Sequence, residues 1–249
     1  MSHTCHTNLI LEHLTNDAFL ISTNEHLILL DAFFTKKVGP FSSMPEDTMK
    51  AIFEGEGKFS DVDMVLGTHC HADHCSEEDL LKYKKDVTII LPQDAFASYD
   101  ERPSQKMILT GSGIAFEDDD IRITAIETEH DGSGIVSPRD HVSYILESKP
   151  QDKCIVIMGD AETKPGLFDE WLKDRPVDAL IINFVEAYQA KGRDFINAIN
   201  PNVVILCHLP LPEDDKTHMG KLAIRNAERH KEELPPLVVC YEPGNVIEV

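Results

Sequence analysis

The chain has 249 residues, which is enough for one large domain with a full hydrophobic core, and we expect a single domain over residues 1–249. The composition, 42% hydrophobic with all aromatic types present, is that of a globular protein and excludes a disordered or fibrous chain. The 44 acidic and 23 basic residues give a formal net charge of −21, which repels phosphate backbones and anionic lipid, so neither nucleic acid nor a membrane is an expected partner.

The first third of the chain predicts a strand meander followed by mixed elements. Three apolar stretches at 8–13, 18–23 and 26–31 are separated by turns rich in Asn and Asp, as in a series of hairpins. A loop at 33–43 precedes a helix that begins at Pro45 and ends near Phe53, with acidic residues in its first turn. A strand at 62–68 follows, and Ser76 is a candidate N-cap for the next helix.

The rest of the chain predicts further strands, with helices concentrated in the last third. A helix that begins at Pro92 and ends before Pro103 is expected after a strand at 87–91. The other predicted strands are 106–109, 113–116, 121–127, 142–147, 154–158, 179–183, 203–207 and 237–241, and the other predicted helices are 166–172, 193–199 and 217–233. Strand groups interleaved with helices, without regular βα alternation, favour two mixed sheets that face each other with helices outside.

Residues 68–74, with the sequence Thr-His-Cys-His-Ala-Asp-His, directly follow the apolar segment 62–66 of the predicted strand. Their four candidate ligands are His69, His71, Asp73 and His74, and neutral imidazole with carboxylate suits zinc as well as manganese, iron and nickel. A loop that leaves a strand end can turn all four side chains inward and can divide them between two ions. The alternative is a chance cluster in a chain with 12 histidines.

Three more candidate ligands, His130, Asp160 and His208, each follow an apolar strand, as a site built on strand ends requires. Taken singly, each is equally compatible with an ordinary polar residue at the end of a strand. Asp31 also ends a buried strand, and we expect it to support a ligand or cap a loop rather than to bind metal.

The spacing His-x-His-x-Asp-His at 69–74 resembles the signature of the metallo-β-lactamase superfamily, and the order of the strands extends the resemblance over nearly the whole chain. The resemblance implies an α/β (α+β) fold, a four-layer αβ/βα sandwich of two mixed β-sheets with helices on the outer faces. It also implies two metal ions. One would be held by His69, His71 and His130, the other by Asp73, His74 and His208, with Asp160 bridging them.

Two such ions about 3.5–4 Å apart can share a hydroxide that is nucleophilic at neutral pH. Asp73 is the candidate catalytic residue that would orient this hydroxide and carry its proton to the leaving group. His141 is a second catalytic candidate, as an acid or an oxyanion donor, with a structural role as the equal alternative. The expected reaction is hydrolysis of an ester, lactone or phosphodiester in a small molecule. That molecule can be anionic despite the negative net charge of the chain, because two cations supply local positive charge.

Two departures from the residue pattern argue against particular branches of the superfamily. Asp160 stands where zinc β-lactamases have cysteine, and His71 stands where flavodiiron proteins have glutamate. The chain looks most like the compact group that includes ascorbate-phosphate lactonase. Zinc is the expected metal, with manganese, iron or nickel as alternatives. A non-catalytic metal-binding or sensor protein and an iron-dependent oxidoreductase are the competing functions, and a homo-oligomer remains open.

The termini and the cysteines predict a cytoplasmic protein. Residues 1–8 contain neither Lys nor Arg, and no apolar stretch is long enough for a signal peptide or a membrane span. The six cysteines form no close Cys-x-x-Cys pair, so reduced thiols are expected. Cys70 and Cys75 flank the histidine motif, and we interpret them as neighbours of the site rather than as ligands.

Overall fold

The computed structural model describes residues 9–132 and 141–249, and in this part of the chain the strands form two seven-stranded sheets. The strands are β1 (Ile10–Thr15), β2 (Ala18–Ser22), β3 (Leu27–Leu30), β4 (Met64–Leu66), β5 (Thr88–Pro92), β6 (Lys106–Thr110), β7 (Gly113–Glu117), β8 (Ile121–Glu127), β9 (Val142–Ser148), β10 (Lys153–Ile157), β11 (Ala179–Asn183), β12 (Val203–Cys207), β13 (Leu237–Val239) and β14 (Val246–Glu248). The helices are α1 (Glu46–Glu54), α2 (Glu77–Leu80), α3 (Asp169–Leu172), α4 (Phe184–Tyr188), α5 (Ala190–Ile199) and α6 (Met219–His230).

Both sheets are mixed and follow the same plan. The first has the order β14-β1-β2-β3-β4-β5-β6 and the second the order β13-β12-β11-β10-β9-β8-β7. In the first sheet the pairs from β14 to β3 are antiparallel and those from β3 to β6 are parallel. In the second sheet the pairs from β7 to β10 are antiparallel and those from β10 to β13 are parallel. The parallel strands therefore bring their carboxyl ends, and the loops that follow them, to one edge of each sheet.

Three apolar clusters hold the layers together. The central cluster joins the inner faces of the two sheets, with Phe19 from β2 and Tyr144 from β9 among its members. In β3, Ile28 and Leu30 belong to this cluster whereas Leu29 packs on the outer side with Ile52 of α1, as the two-residue period of a strand requires. The third cluster packs α5 against the outer face of the second sheet. The predicted four-layer sandwich of two mixed sheets with outer helices is confirmed.

Several elements differ from their predictions. The helix predicted from Pro92 to before Pro103 is wrong, because β5 continues through Pro92 and a series of turns follows. Phe96 has a φ of +62°, which no right-handed helix accommodates, and its backbone N–H donates to the Glu77 carboxylate. The predicted helices at 166–172 and 217–233 shorten to α3 and α6, while α4 and β14 were not predicted.

Among the described residues, no helix combines the length and the apolar character that a bilayer crossing needs.

Candidate metal centre

The candidate metal centre lies where several strands end at the same edge of the two sheets. The loop after β4 carries His69, His71, Asp73 and His74, and His130, Asp160 and His208 follow β8, β10 and β12. The tight turn between β1 and β2 adds Asp17, which lies in one of the predicted turns rich in Asn and Asp. All seven predicted metal ligands thus come from the loops at this edge.

The first group of possible ligands consists of His69, His71 and His130, whose ligand nitrogens lie within 4.8 Å of one another. The ring centroids of His69 and His71 are 4.5 Å apart, and that of His130 lies 5.0 Å from His69 and 4.9 Å from His71. His69 is fully buried, while His71 and His130 are partly exposed to solvent. Three imidazoles that converge from two loops match the three protein ligands of a catalytic zinc site.

The second group consists of Asp17, His74, Asp160 and His208, and all four side chains are buried. Nε2 of His74 lies 3.2 Å from Oδ2 of Asp160 and 3.5 Å from Oδ2 of Asp17. Nε2 of His208 is also 3.5 Å from Oδ2 of Asp17, and its Nδ1 is 3.3 Å from Oδ1 of Asp160. Two imidazoles and two carboxylates in this arrangement can bind a divalent ion.

Asp160 belongs to the second group and also reaches the first. Its Oδ2 is 3.2 Å from Nε2 of His74 in the second group and 3.5 Å from Nε2 of His130 in the first. The rings of His69 and His74, one from each group, are 4.1 Å apart. The two groups therefore adjoin, and one carboxylate reaches both.

The hydrogen bonds of the ring nitrogens test whether these residues suit a metal. Among the described residues, Nε2 of His69, His74, His130 and His208 and both carboxylate oxygens of Asp17 are buried without a hydrogen bond. An unsatisfied buried polar group costs about 1–3 kcal/mol, so this many in one place need an explanation. Divalent cations in the two groups would satisfy them, and the donor set is one that such cations prefer. The residues present fit a metal ion.

The opposite nitrogens of three of these rings face protein oxygens, which turns the Nε2 lone pairs inward. Nδ1 of His130 donates to the carbonyl oxygen of Asp131 (2.8 Å), and Nδ1 of His74 donates to the Asp31 carboxylate (3.2 Å). Nδ1 of His69 donates to the hydroxyl of Thr68 (3.0 Å). Each of these imidazoles is therefore held in the tautomer that a metal ligand needs.

Asp31 organises the loop that carries the histidine motif. Its carboxylate accepts hydrogen bonds from the backbone N–H (2.8 Å) and the hydroxyl (2.6 Å) of Thr68 as well as from His74. Through Thr68 it also orients His69. The structure thus places Asp31 behind the possible ligands, in contact with one of them and linked to a second.

Burial and nearby charges shift the pKa values of the site histidines in different directions. Burial lowers the pKa of His69 and of His71, so both are neutral at pH 7. Burial also lowers the pKa of His208, but the Asp160 and Asp17 carboxylates outweigh it and raise that pKa to about 9. Burial raises the pKa of Asp160, but His208 and His74 outweigh it and hold the pKa well below its ordinary range. Without a cation, protons on histidine balance the carboxylates of the second group.

Asp73 lies at the edge of the site. It is buried, and its Oδ2 lies 3.8 Å from Nε2 of His208, but it belongs to neither of the two convergent groups of the described residues. The second group includes Asp17, and Asp73 approaches that group at His208. Asp73 lies in the same turn of the loop as His74.

His141 is buried, and both of its ring nitrogens are engaged. Nε2 accepts the backbone N–H of Asp160 (3.0 Å), so Nδ1 carries the proton and donates to the Thr128 hydroxyl (2.7 Å). Burial lowers the pKa of His141 to about 3, which keeps the ring neutral. This geometry favours the structural alternative over an acid or an oxyanion donor, because no N–H of the ring points into the site.

Sequence reasoning missed two residues of the site, Asp17 and Asn183. The amide of Asn183 donates to Oδ1 of Asp160 (3.0 Å) and lies 2.6 Å from Nδ1 of His208, while its carbonyl caps α4. Asn183 ends an apolar strand, which is the same sequence signal that Asp160 and His208 carry. Cys70 and Cys75, predicted to be neighbours rather than ligands, belong to none of the possible metal-binding groups.

Comparisons with known proteins support the fold. Solved structures that are similar to this chain include Igni18, a metallo hydrolase from Ignicoccus hospitalis (14% identity, TM-score 0.69, 97% of this chain and 98% of that chain). Another is an isothiocyanate hydrolase from Delia radicum gut bacteria (14% identity, TM-score 0.68, 96% and 100%). A third is CmlA, a diiron β-hydroxylase from Streptomyces venezuelae (13% identity, TM-score 0.66, 97% and 54%).

At these identities the structural likeness shows the fold alone. No curated protein sequence matches the chain. A family model described as a beta-lactamase superfamily domain matches residues 11–208, a span that runs from β1 to the last histidine of the site. The chain therefore belongs to the beta-lactamase superfamily, with the metallo-β-lactamase fold of its metal-dependent hydrolases.

Proposed function

We propose that the protein is a hydrolase that uses two divalent metal ions to cleave an ester, lactone or phosphodiester bond in a small molecule. The observation that carries the proposal is the pair of adjoining ligand groups, three histidines on one side and two histidines with two aspartates on the other, linked by Asp160. Zinc is the expected ion, and manganese, iron and nickel also suit these donors.

Two ions bound in these groups would supply a hydroxide at neutral pH and positive charge for the developing oxyanion. Asp73, whose Oδ2 lies 3.8 Å from Nε2 of His208, is the proposed acceptor of the proton of that hydroxide. Burial raises its pKa, but the neighbouring His208 and His74 outweigh it and lower the pKa, so the carboxylate is ionised at neutral pH. Asp73 therefore acts as the base, and it then transfers the proton to the leaving oxygen. His141 holds the Asp160 backbone in place during this transfer.

A cavity beside the metal centre supports an anionic substrate. It has a volume of about 460 Å³ and is lined by Lys37, Phe41, Asp214 and Lys216, among others. The Phe41 ring stacks on His208, with centroids 4.0 Å apart, so the cavity adjoins the second group. Lys37 pairs with Asp214, whereas Lys216 forms no ion pair within the described residues. In a chain with a net charge of −21, this local positive charge favours a small substrate with a carboxylate or phosphate group.

The experiment that tests the proposal is the initial rate of hydrolysis on paired lactone and phosphodiester panels, with protein reconstituted with zinc or manganese. We expect metal-dependent turnover in one panel, which identifies the bond, and loss of that turnover in Asp160→Ala. A Lys216→Ala variant is the matched control, since it keeps the metal ligands and should raise KM for anionic substrates without lowering kcat. Turnover that persists in metal-free protein contradicts the proposal.

An iron-dependent oxidoreductase is the second candidate, because CmlA, a diiron β-hydroxylase, has the same fold. The ligand set of histidine and aspartate also suits iron. Oxygen consumption in the presence of a reductant, measured on iron-loaded protein, separates the two functions. Substrate-dependent oxygen uptake together with silence in both hydrolysis panels favours the oxidoreductase.

A further inference from the structure

We propose that Phe41 is a specificity-determining residue, and that the substrate carries an aromatic group beside the scissile bond and an anionic group beyond it. The inference deepens the proposed function and rests on it, because the scissile bond must lie at the metal ions. It assigns a role to a side chain of the loop between β3 and α1.

The first argument is the position of the Phe41 ring. It stacks on the imidazole of His208, a candidate ligand of the second group, with ring centroids 4.0 Å apart and ring planes inclined by 16°. His208 is buried, whereas Phe41 is half-buried and lines the cavity of about 460 Å³. The same ring therefore covers a metal ligand and forms part of the cavity wall. A substrate group that links this cavity to the metal ions packs beside the ring.

The second argument is the way the loop holds the ring. The N–H of Phe41 donates to the carbonyl oxygen of Val38 (2.9 Å), which closes a tight turn. The next residue, Ser42, is buried, and its N–H donates to the Asn16 side chain (3.3 Å) while its hydroxyl donates to Asp214 (2.8 Å). These bonds fix the loop on both sides of the cavity. A ring held in this way binds a partner at little cost in conformational entropy.

The third argument is the charge around the cavity. Its lining includes Lys37 and Lys216 but a single carboxylate, that of Asp214. Lys37 pairs with Asp214, so the ammonium group of Lys216, which forms no ion pair with the described residues, gives the cavity wall an excess of positive charge. Phe41 and Pro40 supply the apolar part of the same wall. A ligand with an aromatic part and an anionic part complements both features.

An aromatic group suits this wall better than an aliphatic group of the same size. Offset-stacked and edge-to-face contacts between aromatic rings stabilise a complex beyond what the burial of apolar area provides. Removing the aromatic ring of either partner should therefore weaken binding, even when the apolar volume is kept. This difference distinguishes a specific role of Phe41 from simple apolar packing.

The test is isothermal titration of the zinc-loaded protein with terephthalate, with its analogue that has a saturated ring, and with benzoate. All three have a carboxylate for the metal ions, and the first two share the same charge and a ring of similar size. We expect terephthalate to bind about two- to tenfold more tightly than the saturated analogue. It should also bind about two- to fivefold more tightly than benzoate, which lacks the second carboxylate. Equal affinities for terephthalate and the saturated analogue contradict the inference.

Substitutions assign each preference to its residue. Phe41→Leu should remove the preference for terephthalate over the saturated analogue, and Phe41→Tyr should keep it. Since each preference compares two ligands on the same protein, a change in zinc affinity affects both ligands alike. Lys216→Ala should remove the preference over benzoate only. Lys106→Ala, at the opposite edge of the sheet, is the matched control and should change neither preference. An aromatic preference that survives in Phe41→Leu contradicts the inference.

Failure of the inference and failure of the proposed function give different results, because titration needs no turnover. If the expected preferences are found but neither the lactone nor the phosphodiester panel is hydrolysed, the proposed function fails while recognition of an aromatic anion stands. If one panel is hydrolysed in a metal-dependent way but terephthalate has no advantage over its saturated analogue, the proposed function stands and the inference fails.

Discussion

Two clusters of histidine and aspartate lie at opposite ends of the same strands, and only one of them has the character of a metal site. His26 precedes β3, and it lies between Asp63, which precedes β4, and Asp118, which precedes β8. Nδ1 of His26 is 2.6 Å from Asp63 and Nε2 is 2.8 Å from Asp118, so both nitrogens are satisfied. At the carboxyl ends of β4, β8 and β12, four histidines of the described chain keep a buried Nε2 without a hydrogen bond.

The difference lies in the hydrogen bonds, since the residue types are the same. The His26 cluster joins the two sheets and is complete within the protein. The candidate metal centre is incomplete, because its imidazoles are oriented from behind by Asp31, Thr68 and Asp131 while their inner lone pairs face one another. Unsatisfied inner lone pairs with satisfied outer nitrogens are therefore the feature that distinguishes a metal site from a structural ion pair.

The largest effect should come from the metal itself. Zinc at about a thousand times its Kd should stabilise the folded protein by about 4 kcal/mol per site, and a chelator should remove this gain. A His26→Gln variant should show the same gain, because the His26 cluster needs no ion. Calorimetric unfolding with and without chelator measures both. An equal Tm with and without chelator would show that the candidate metal centre, like the His26 cluster, gains no stability from an ion.

Crowding at Gly159 should give the next largest effect. Gly159 has a φ of +57°, and a Cβ there would lie 2.7 Å from Oγ1 of Thr68 and 2.8 Å from Nε2 of His141. Gly159→Ala should therefore cost about 2–4 kcal/mol and should weaken metal binding, because it displaces the groups that hold His69 and Asp160. Chemical denaturation and metal titration measure the two effects.

Gly57→Ala is the matched control for Gly159→Ala. Gly57 has almost the same φ, +58°, but an added Cβ would meet no atom within 4 Å. It should cost only the backbone strain, about 1–2 kcal/mol, and should leave metal affinity unchanged. Equal losses of stability in the two variants would show that contact with Thr68 and His141 is unimportant.

Removing the support behind the histidines should have a smaller effect. Asp31→Asn keeps the size of the side chain but weakens the bonds that orient His74 and, through Thr68, His69. Metal affinity should fall about 10–100-fold, and the metal-free protein should lose about 1–3 kcal/mol, because the new amide turns an N–H toward groups that donate. Isothermal titration measures the affinity, and Asp63→Asn in the other cluster should leave it unchanged. Wild-type affinity in Asp31→Asn would refute the orienting role.

The smallest effect should be the pH dependence of the His26 cluster. Burial lowers the pKa of His26, but hydrogen bonds to Asp63 and Asp118 outweigh it and raise the pKa to about 9. Because the folded-state pKa is raised, the stabilisation is complete below pH ~6.5 and is lost as the pH rises to about 9. The loss should be about 1–2 kcal/mol, since Asp63 and Asp118 are partly solvated. The difference in unfolding free energy between wild type and His26→Gln, followed from pH 6 to 10, should shrink accordingly; a constant difference would contradict it.

Most of the architecture could be predicted from local sequence signals. Alternating and continuous apolar runs identified thirteen of the fourteen strands of the described chain, and β14 escaped because three residues near the end of the chain give no periodic signal. The false helix after β5 arose because Pro92 is a common first residue of helices. There Pro92 instead continues the pairing of β5 with Thr110 of β6.

The site was harder to predict because part of it depends on tertiary contacts. The histidine motif lies within six residues, so its spacing alone indicated a metal. Asp17 lies in a hairpin turn, where aspartate is common for local reasons. Its place beside His74 and His208 follows from the bonds of Asn16 to the Ser42 and His208 loops, which no local pattern reveals. The engaged nitrogens of His141 were equally invisible in the sequence.

The most direct test of the two-ion site is anomalous X-ray diffraction at the zinc edge on crystals of the zinc-loaded protein. We predict two anomalous peaks about 3.5–4 Å apart. One should lie within coordination distance of His69, His71 and His130, the other within that distance of His74, Asp160 and His208, with no peak at His26. A single peak, no peak at this edge of the sheets, or a peak at His26 would contradict the account.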